Sequence, residues 1–394
     1  MKRSLLNFDH RGDALLTLRE PNFQKISWSK CKRSLQNEAA HKNEEPVGSS
    51  QPDQNLRSIQ PSKNDGEPNE IQFRVSTRNL CLVSSVFRAM IEGQYKESQP
   101  NSQGLLELSA SEWNVEAFVL LLNIMHGHHR QVTKTPSLEL IAHIGILVDY
   151  YDCLEVVEIF YERWTEWQLD LNKHNYPELS LAVPTVALQD FGADKTVLLF
   201  TALVFKNYVQ ARGLFGLAIF NTKGPLETDL AIPNRVLELI EQERESLVEE
   251  LLEVLFDLQD CLMAEDLCCT LECACRLLGY LTRQMRSFGL PLTKPEKPFL
   301  GYSAKCVHQM LRSLKAPGWC TDHDNGPCTL EVVLQDFYVP WEPSIFERDL
   351  YHQTGETNQD SLVELLFEKT FDIARKVFTD YVTIISHKNG KQEK

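Results

Sequence analysis

Three histidines stand within four positions in the stretch NIMHGHHRQV, residues 123–132. His126, His128 and His129 carry imidazoles, which bind transition metals when neutral and exchange protons near physiological pH. A second group lies in CLMAEDLCCTLECAC, residues 261–275, which holds Cys261, Cys268, Cys269, Cys273 and Cys275. With Cys306, Cys320, His323 or Cys328 these thiolates could complete a tetrahedral zinc set. Asp149 and Asp152 in DYYD are the type of paired carboxylates that serve as general acid and base.

Spacing tests each of these chemistries. His128 and His129 are adjacent, and neighbouring side chains in extended backbone point apart, which is poor geometry for two ligands on one ion. His126 precedes Gly127, where a helix that ends in the left-handed conformation wants its glycine. The predicted role of His126 is therefore a partly protonated ring at the negative end of a helix dipole, with His128 and His129 in the loop beyond. Cys269 and Cys273 share a helix face at i, i+4, as do Cys261 and Cys268 at i, i+7. Neither C-x2-C nor H-x3-H occurs, and Leu267, Leu271, Leu277 and Leu278 around them are core types. Buried thiols are the plainer reading, with Cys268, Cys269, Cys273, His323 and Cys328 as the metal candidates. Asp152 with Glu155 reads as a capping box rather than half of an acid–base pair. The phosphate-loop, nucleophile-elbow, zinc-helix and dinucleotide signatures are missing. No catalytic residue, no cofactor and no small-molecule substrate is expected.

Composition narrows the partners. The chain has 394 residues, with 40 Lys and Arg against 55 Asp and Glu, for a formal charge of −15. Phosphate backbones bind through cationic side chains, so nucleic acid is not expected as the main partner. No uncharged apolar run reaches the roughly 18 residues of a membrane span. The start, MKRSLLNFDHRGD, turns polar too early for a secretory signal. An intracellular protein, cytoplasmic or nuclear, is expected, with its thiols reduced.

The elements that position these residues follow from pattern. GDALLTLRE (12–20) and IQFRVS (71–76) read as strands, the second with Ile71, Phe73 and Val75 on one face. They suit a hairpin whose turn has been expanded by residues 23–68. That segment is rich in Ser, Asn, Gln, Lys, Glu and Pro, and is predicted to be disordered. Lengthening a loop tenfold adds only about 2 kcal/mol of closure entropy, so such an insertion is tolerable. RNLCLVSSVFRAMIEG gives one helical stripe of Leu80, Val83, Phe87 and Met90, ending at Gly93. LLEL (105–108) is a short strand, and NVEAFVLLLNIMHG a helix capped by Asn114. Thr135 followed by Pro136 predicts the start of a helix that is apolar on two faces, and hence buried on two sides. Residues 233–264 form a long amphipathic helix with Asn234 as cap. It suits an intramolecular bundle better than a coiled coil, because only three to four heptads are present. The tail carries one more amphipathic helix, at about 360–385.

The words FRVSTRNLCLVSSVFRAM (73–90), WNVEAFVLLLNIMHGHHRQV (113–132) and IAHIGILVDYYDCLEVVEIFYERW (141–164) resemble the BTB/POZ domain. The likeness is to the version found in a large group of filamentous-fungal proteins. LGYLTRQMRSFGLPLTKPEKPFLGYSA (278–304), APGWC (316–320) and PCTLEVVLQDF (327–337) resemble the helical region that follows the domain in that group. Departures are Asn79, where the family commonly has His, the histidines after HG, and the 23–68 insertion. The resemblance implies an α+β fold: a small sheet with helical hairpins, followed by an all-helical C-terminal region. Its parts would be a first strand at 8–22, the insertion 23–68, a BTB/POZ-like domain at 69–170, a helical domain at 171–345 and a tail at 346–394. The implied function is non-enzymatic protein–protein interaction, with a second copy or another protein held by a strand edge or by the early helix. Leu80, Val83, Phe87 and Met90 are the partner-binding candidates. Alternative readings are a substrate adaptor of a cullin-type ubiquitin ligase and a zinc-stabilised nuclear regulator.

Overall fold

A computed structural model describes residues 4–24, 26, 69–175, 191–264, 270–314 and 329–330. The insertion beyond residue 26, the tail, and Cys268, Cys269, Cys320, His323 and Cys328 lie outside the described residues. The described chain divides into two compact units. The first comprises the residues up to 175 with 192–211 and 228–232, and the second comprises 191, 212–227 and the residues from 233 on.

The first unit is built on a four-stranded sheet of β1 (Ser4–Asn7), β2 (Ala14–Arg19), β3 (Ile71–Val75) and β4 (Leu106–Ser111). Their order is β1-β3-β2-β4. β2 and β3 are antiparallel, with Leu16 opposite Phe73, which is the hairpin expected across the insertion. β4 runs parallel to β2 and β1 parallel to β3. The period-2 alternation places Leu16, Leu18, Ile71, Phe73 and Val75 on one face, all fully buried. Burying each such side chain contributes about 1.5–3 kcal/mol, so the register is strongly specified. β1 was not expected. The apolar segment between Lys2 and Asp9 is too short to show a period, and only pairing with β3 makes it a strand.

Helices cover the buried face. The expected early helix is two: α1 (Thr77–Val83) and α2 (Ser85–Glu92). Ser84 breaks it, with extended backbone at φ −136° and ψ 121°. Its hydroxyl accepts from the Phe87 N–H and donates to the Tyr151 carbonyl. A serine that caps one helix and reaches another competes successfully with continuation of the first. α3 (Val115–Met125) is buried at every position but Glu116, and Asn114 caps it as expected. Gly127 ends it at φ 75°.

α4 (Leu138–Tyr151) starts two residues later than Thr135-Pro136 suggests, because the Ser137 hydroxyl accepts from the Leu140 N–H. It is buried on two sides, packing on α3 and on α6 (Ala193–Val204). Gly145 permits the second contact, since a Cβ there would stand 3.1 Å from the Phe200 ring. The capping box at Asp152 does not form. Asp152 ends α4 in the left-handed conformation, and its carboxylate accepts from the Ser85 hydroxyl instead. α5 (Leu154–Asn175) then carries Val157, Tyr161 and Trp164 into the core, with Tyr161 stacked on Phe205 at 4.0 Å.

α7 (Tyr208–Asn221) is followed by α8 (Asn234–Met263), whose cap is Pro233 rather than Asn234. α9 (Leu271–Ser287) and α10 (Ala304–Ser313) pack on α8, an intramolecular bundle as expected. Arg244 on α8 is fully buried. Its guanidinium donates to both carboxylate oxygens of Glu241 and to the carbonyls of Pro298 and Tyr302. The rigid planar fork of arginine suits such a site, where buried donors must all find acceptors.

Candidate interaction surface

The short helices α1 and α2 each bury a single side chain, Leu80 and Phe87. α1 begins directly after β3, and two side chains from elsewhere hold its first turn. Asp13, in the turn before β2, accepts from the Thr77 N–H and hydroxyl at 2.8 and 2.6 Å. Burial pulls the Asp13 pKa upward, but the Thr77 hydrogen bonds outweigh it and hold the carboxyl below its usual range. His126, the C-terminal cap of α3, accepts from the Ser76 N–H through Nε2 at 3.1 Å. Its Nδ1 lies 2.8 Å from the Leu122 carbonyl, so Nδ1 carries the proton and the ring is neutral.

This corrects the expectation of a partly protonated imidazole at the helix end. Burial pushes the His126 pKa down, and the nearby His128 adds to that, against the opposing pull of Leu122 and Asp9. His126 and His128 both pack on Phe8, whereas His129 turns to a different ring. The ring of His128 stacks on Phe8 at 6.3 Å, 6.4 Å from that of His126, while His129 meets Phe160 edge-on at 5.3 Å. Among the described residues no group of three or more His, Cys, Asp and Glu could hold a metal ion. Cys273, the one primary metal candidate among the described residues, is buried in α9.

The C-terminal end of α4 supports α1 and α2 from below. Phe87 stacks on Tyr151 at 4.4 Å with ring planes 6° apart. The Tyr151 hydroxyl accepts from the Trp113 indole at 3.1 Å, and burial drives its pKa up. Beside it, burial first and the Asp152 charge second push the Cys153 thiol up to about 12. Neither group ionises near neutrality, so this corner is scaffold. The Arg88 guanidinium folds back onto the Cys81 carbonyl at 3.0 and 2.8 Å, closing the end of α1.

Of the sequence candidates, Leu80 and Phe87 are buried in the core at 0% and 1% exposure. Val83 and Met90 are half-buried against that core. Sequence reasoning missed Leu82, which is 76% exposed. The signal was present. Two positions along a helix turn about 200°, so a stripe through Leu80 leaves Leu82 on the opposite side. At the sheet edge, β1 exposes Leu5 at 50%.

Residues 67–162 match the family model described as BTB/POZ domain. The chain carries a BTB/POZ domain. The match spans β3 through most of α5, the segment that resembled the family in sequence, and the small mixed sheet with helical hairpins is its fold. A BTB/POZ domain is a protein–protein interaction module, and a helical C-terminal region follows it here. No curated protein and no solved structure matches the chain. Among the described residues, no helix is long and apolar enough to cross a membrane.

Proposed function

We propose that this protein is a non-enzymatic association module whose BTB/POZ domain binds a second copy of the chain through the outer face of α1 and α2. The observation that carries this reading is Leu82. A leucine 76% exposed on a helix whose other side is anchored in the core lowers its free energy by being covered. Val83 and Met90 on the same two helices are half-buried against the core. Leu80 and Phe87 lie beneath the outer face and set its shape. An isologous contact places the same patch on both subunits, so one exposed leucine supplies two to the interface.

The test is co-expression of two differently tagged copies of the full chain. Capture of one is expected to retain the other. Leu82→Glu in both copies places two charges at the contact, and is expected to reduce retention at least tenfold while leaving the circular dichroism spectrum unchanged. Undiminished retention by the variant, or no retention of the wild type, contradicts the proposal.

A further inference from the structure

We propose that His126 is a proton-operated latch on α1: the neutral ring holds the start of the helix, and the protonated ring releases it. The proposal deepens the reading above, because α1 carries Leu82, and its association arm rests on that reading.

The geometry is specific. Ser76 is the N-terminal cap of α1, and its own side chain caps nothing. The Ser76 N–H donates instead to His126 Nε2 at 3.1 Å. That bond ties the β3–α1 junction to the last turn of α3, 50 residues away in the chain. The opposite ring nitrogen is committed to the Leu122 carbonyl at 2.8 Å. An imidazolium has no lone pair, so a proton arriving at Nε2 sets two donors against each other. The junction must then open or carry a buried charge.

The surroundings disfavour that charge. Phe8 lies 5.6 Å from the ring. The charged or titratable groups facing it are His128, beyond Gly127, and Asp9, before β2. Asp13 sits one residue further along, on Thr77, and remains ionised throughout the pH range in which an imidazole titrates. Once the ring is protonated the two anchors of α1 would therefore differ, with the carboxylate intact and the imidazole withdrawn.

The sign follows from linkage. A ring whose pKa is depressed in the latched state and ordinary, about 6.5, in the released state keeps the latch closed above 6.5. As pH falls from 6.5 toward the depressed value, release gains by up to about tenfold per pH unit for each ring. A dimer whose two copies both need a seated α1 then loses up to about a hundredfold in association constant per unit.

The experiment uses the full chain with 13C-histidine and 15N-serine labels. The His126 signal, assigned by its loss in His126→Gln, is expected to titrate below 6.5, with the Ser76 amide shifting at the same midpoint. A midpoint at or above 6.5, or a Ser76 amide that ignores the titration, overturns the latch. This readout does not depend on association, so it stands even if the chain proves monomeric and the functional reading fails. Sedimentation at pH 7.5 and 5.5 supplies the second arm. Wild-type association is expected to weaken at least tenfold at the lower pH. His126→Gln keeps an acceptor and has no titrating proton, and is expected to change less than threefold. Equal pH sensitivity in the two proteins assigns the effect to another group and overturns the proposal.

Discussion

His143 shows at a single residue how burial becomes pH dependence. It lies on α4 at 6% exposure, and its Nδ1 has no hydrogen-bond partner among the described residues. Burial pushes its pKa down, against the weaker pull of Glu139, and His126 is shifted in the same direction. Both rings are thus neutral in the folded state at neutral pH. Well above about 6.5 neither folded nor unfolded imidazoles bind protons, and these groups add no pH dependence. Below that value the unfolded chain protonates first, so stability falls as pH falls. The limiting slope is about 1.4 kcal/mol per pH unit for each ring. Urea unfolding of the first unit between pH 7.5 and 5.5 is expected to show a falling midpoint. His143→Leu is expected to flatten that dependence in part, and an unchanged dependence would contradict the assignment. The reach of a residue was harder to read in sequence than its type. NIMHGHHRQV showed where α3 stops, yet gave no sign that Ser76 would approach the ring from 50 positions away.

Elements were legible where period and capping agreed. α3 announced itself through Asn114, its continuous apolar run and Gly127, and the structure uses all three. The strands β2 and β3 followed from alternation, and their pairing from the hairpin logic. Errors arose where a polar side chain had two possible employers. Ser84 and Asp152 both read locally as helix residues or caps, but each is spent on a contact about 67 residues distant. Arg244 is the same lesson in α8, where an arginine in a charged run is fully buried. Its partners Pro298 and Tyr302 lie in a loop more than fifty residues on. Arg244→Ala leaves Glu241 and two carbonyls without their donor, and is expected to cost about 3–5 kcal/mol. Replacing Arg244 and Glu241 together by Met is expected to recover much of that loss, because no unpaired charge remains. Chemical denaturation of the second unit checks both. A loss below about 1 kcal/mol for Arg244→Ala would show that the buried fork does not hold the loop.

For the molecule, the α+β class and the order of BTB/POZ domain and helical region were legible in sequence, because the family words fall on elements that fix the fold. The interaction face was only half legible. The apolar stripe of the early helix marked the right element but named mostly its buried side, since periodicity identifies the face that packs and is silent about the exception opposite. The proposed associating face is that of α1 and α2. Sedimentation equilibrium of the full chain at pH 7.5, for wild type and Leu82→Glu at equal concentration, tests it most directly. The account expects a dimer mass near twice 45.2 kDa for the wild type and a shift toward the single-chain mass for the variant. A wild type that sediments as a single chain, or a variant that remains fully dimeric, would contradict it.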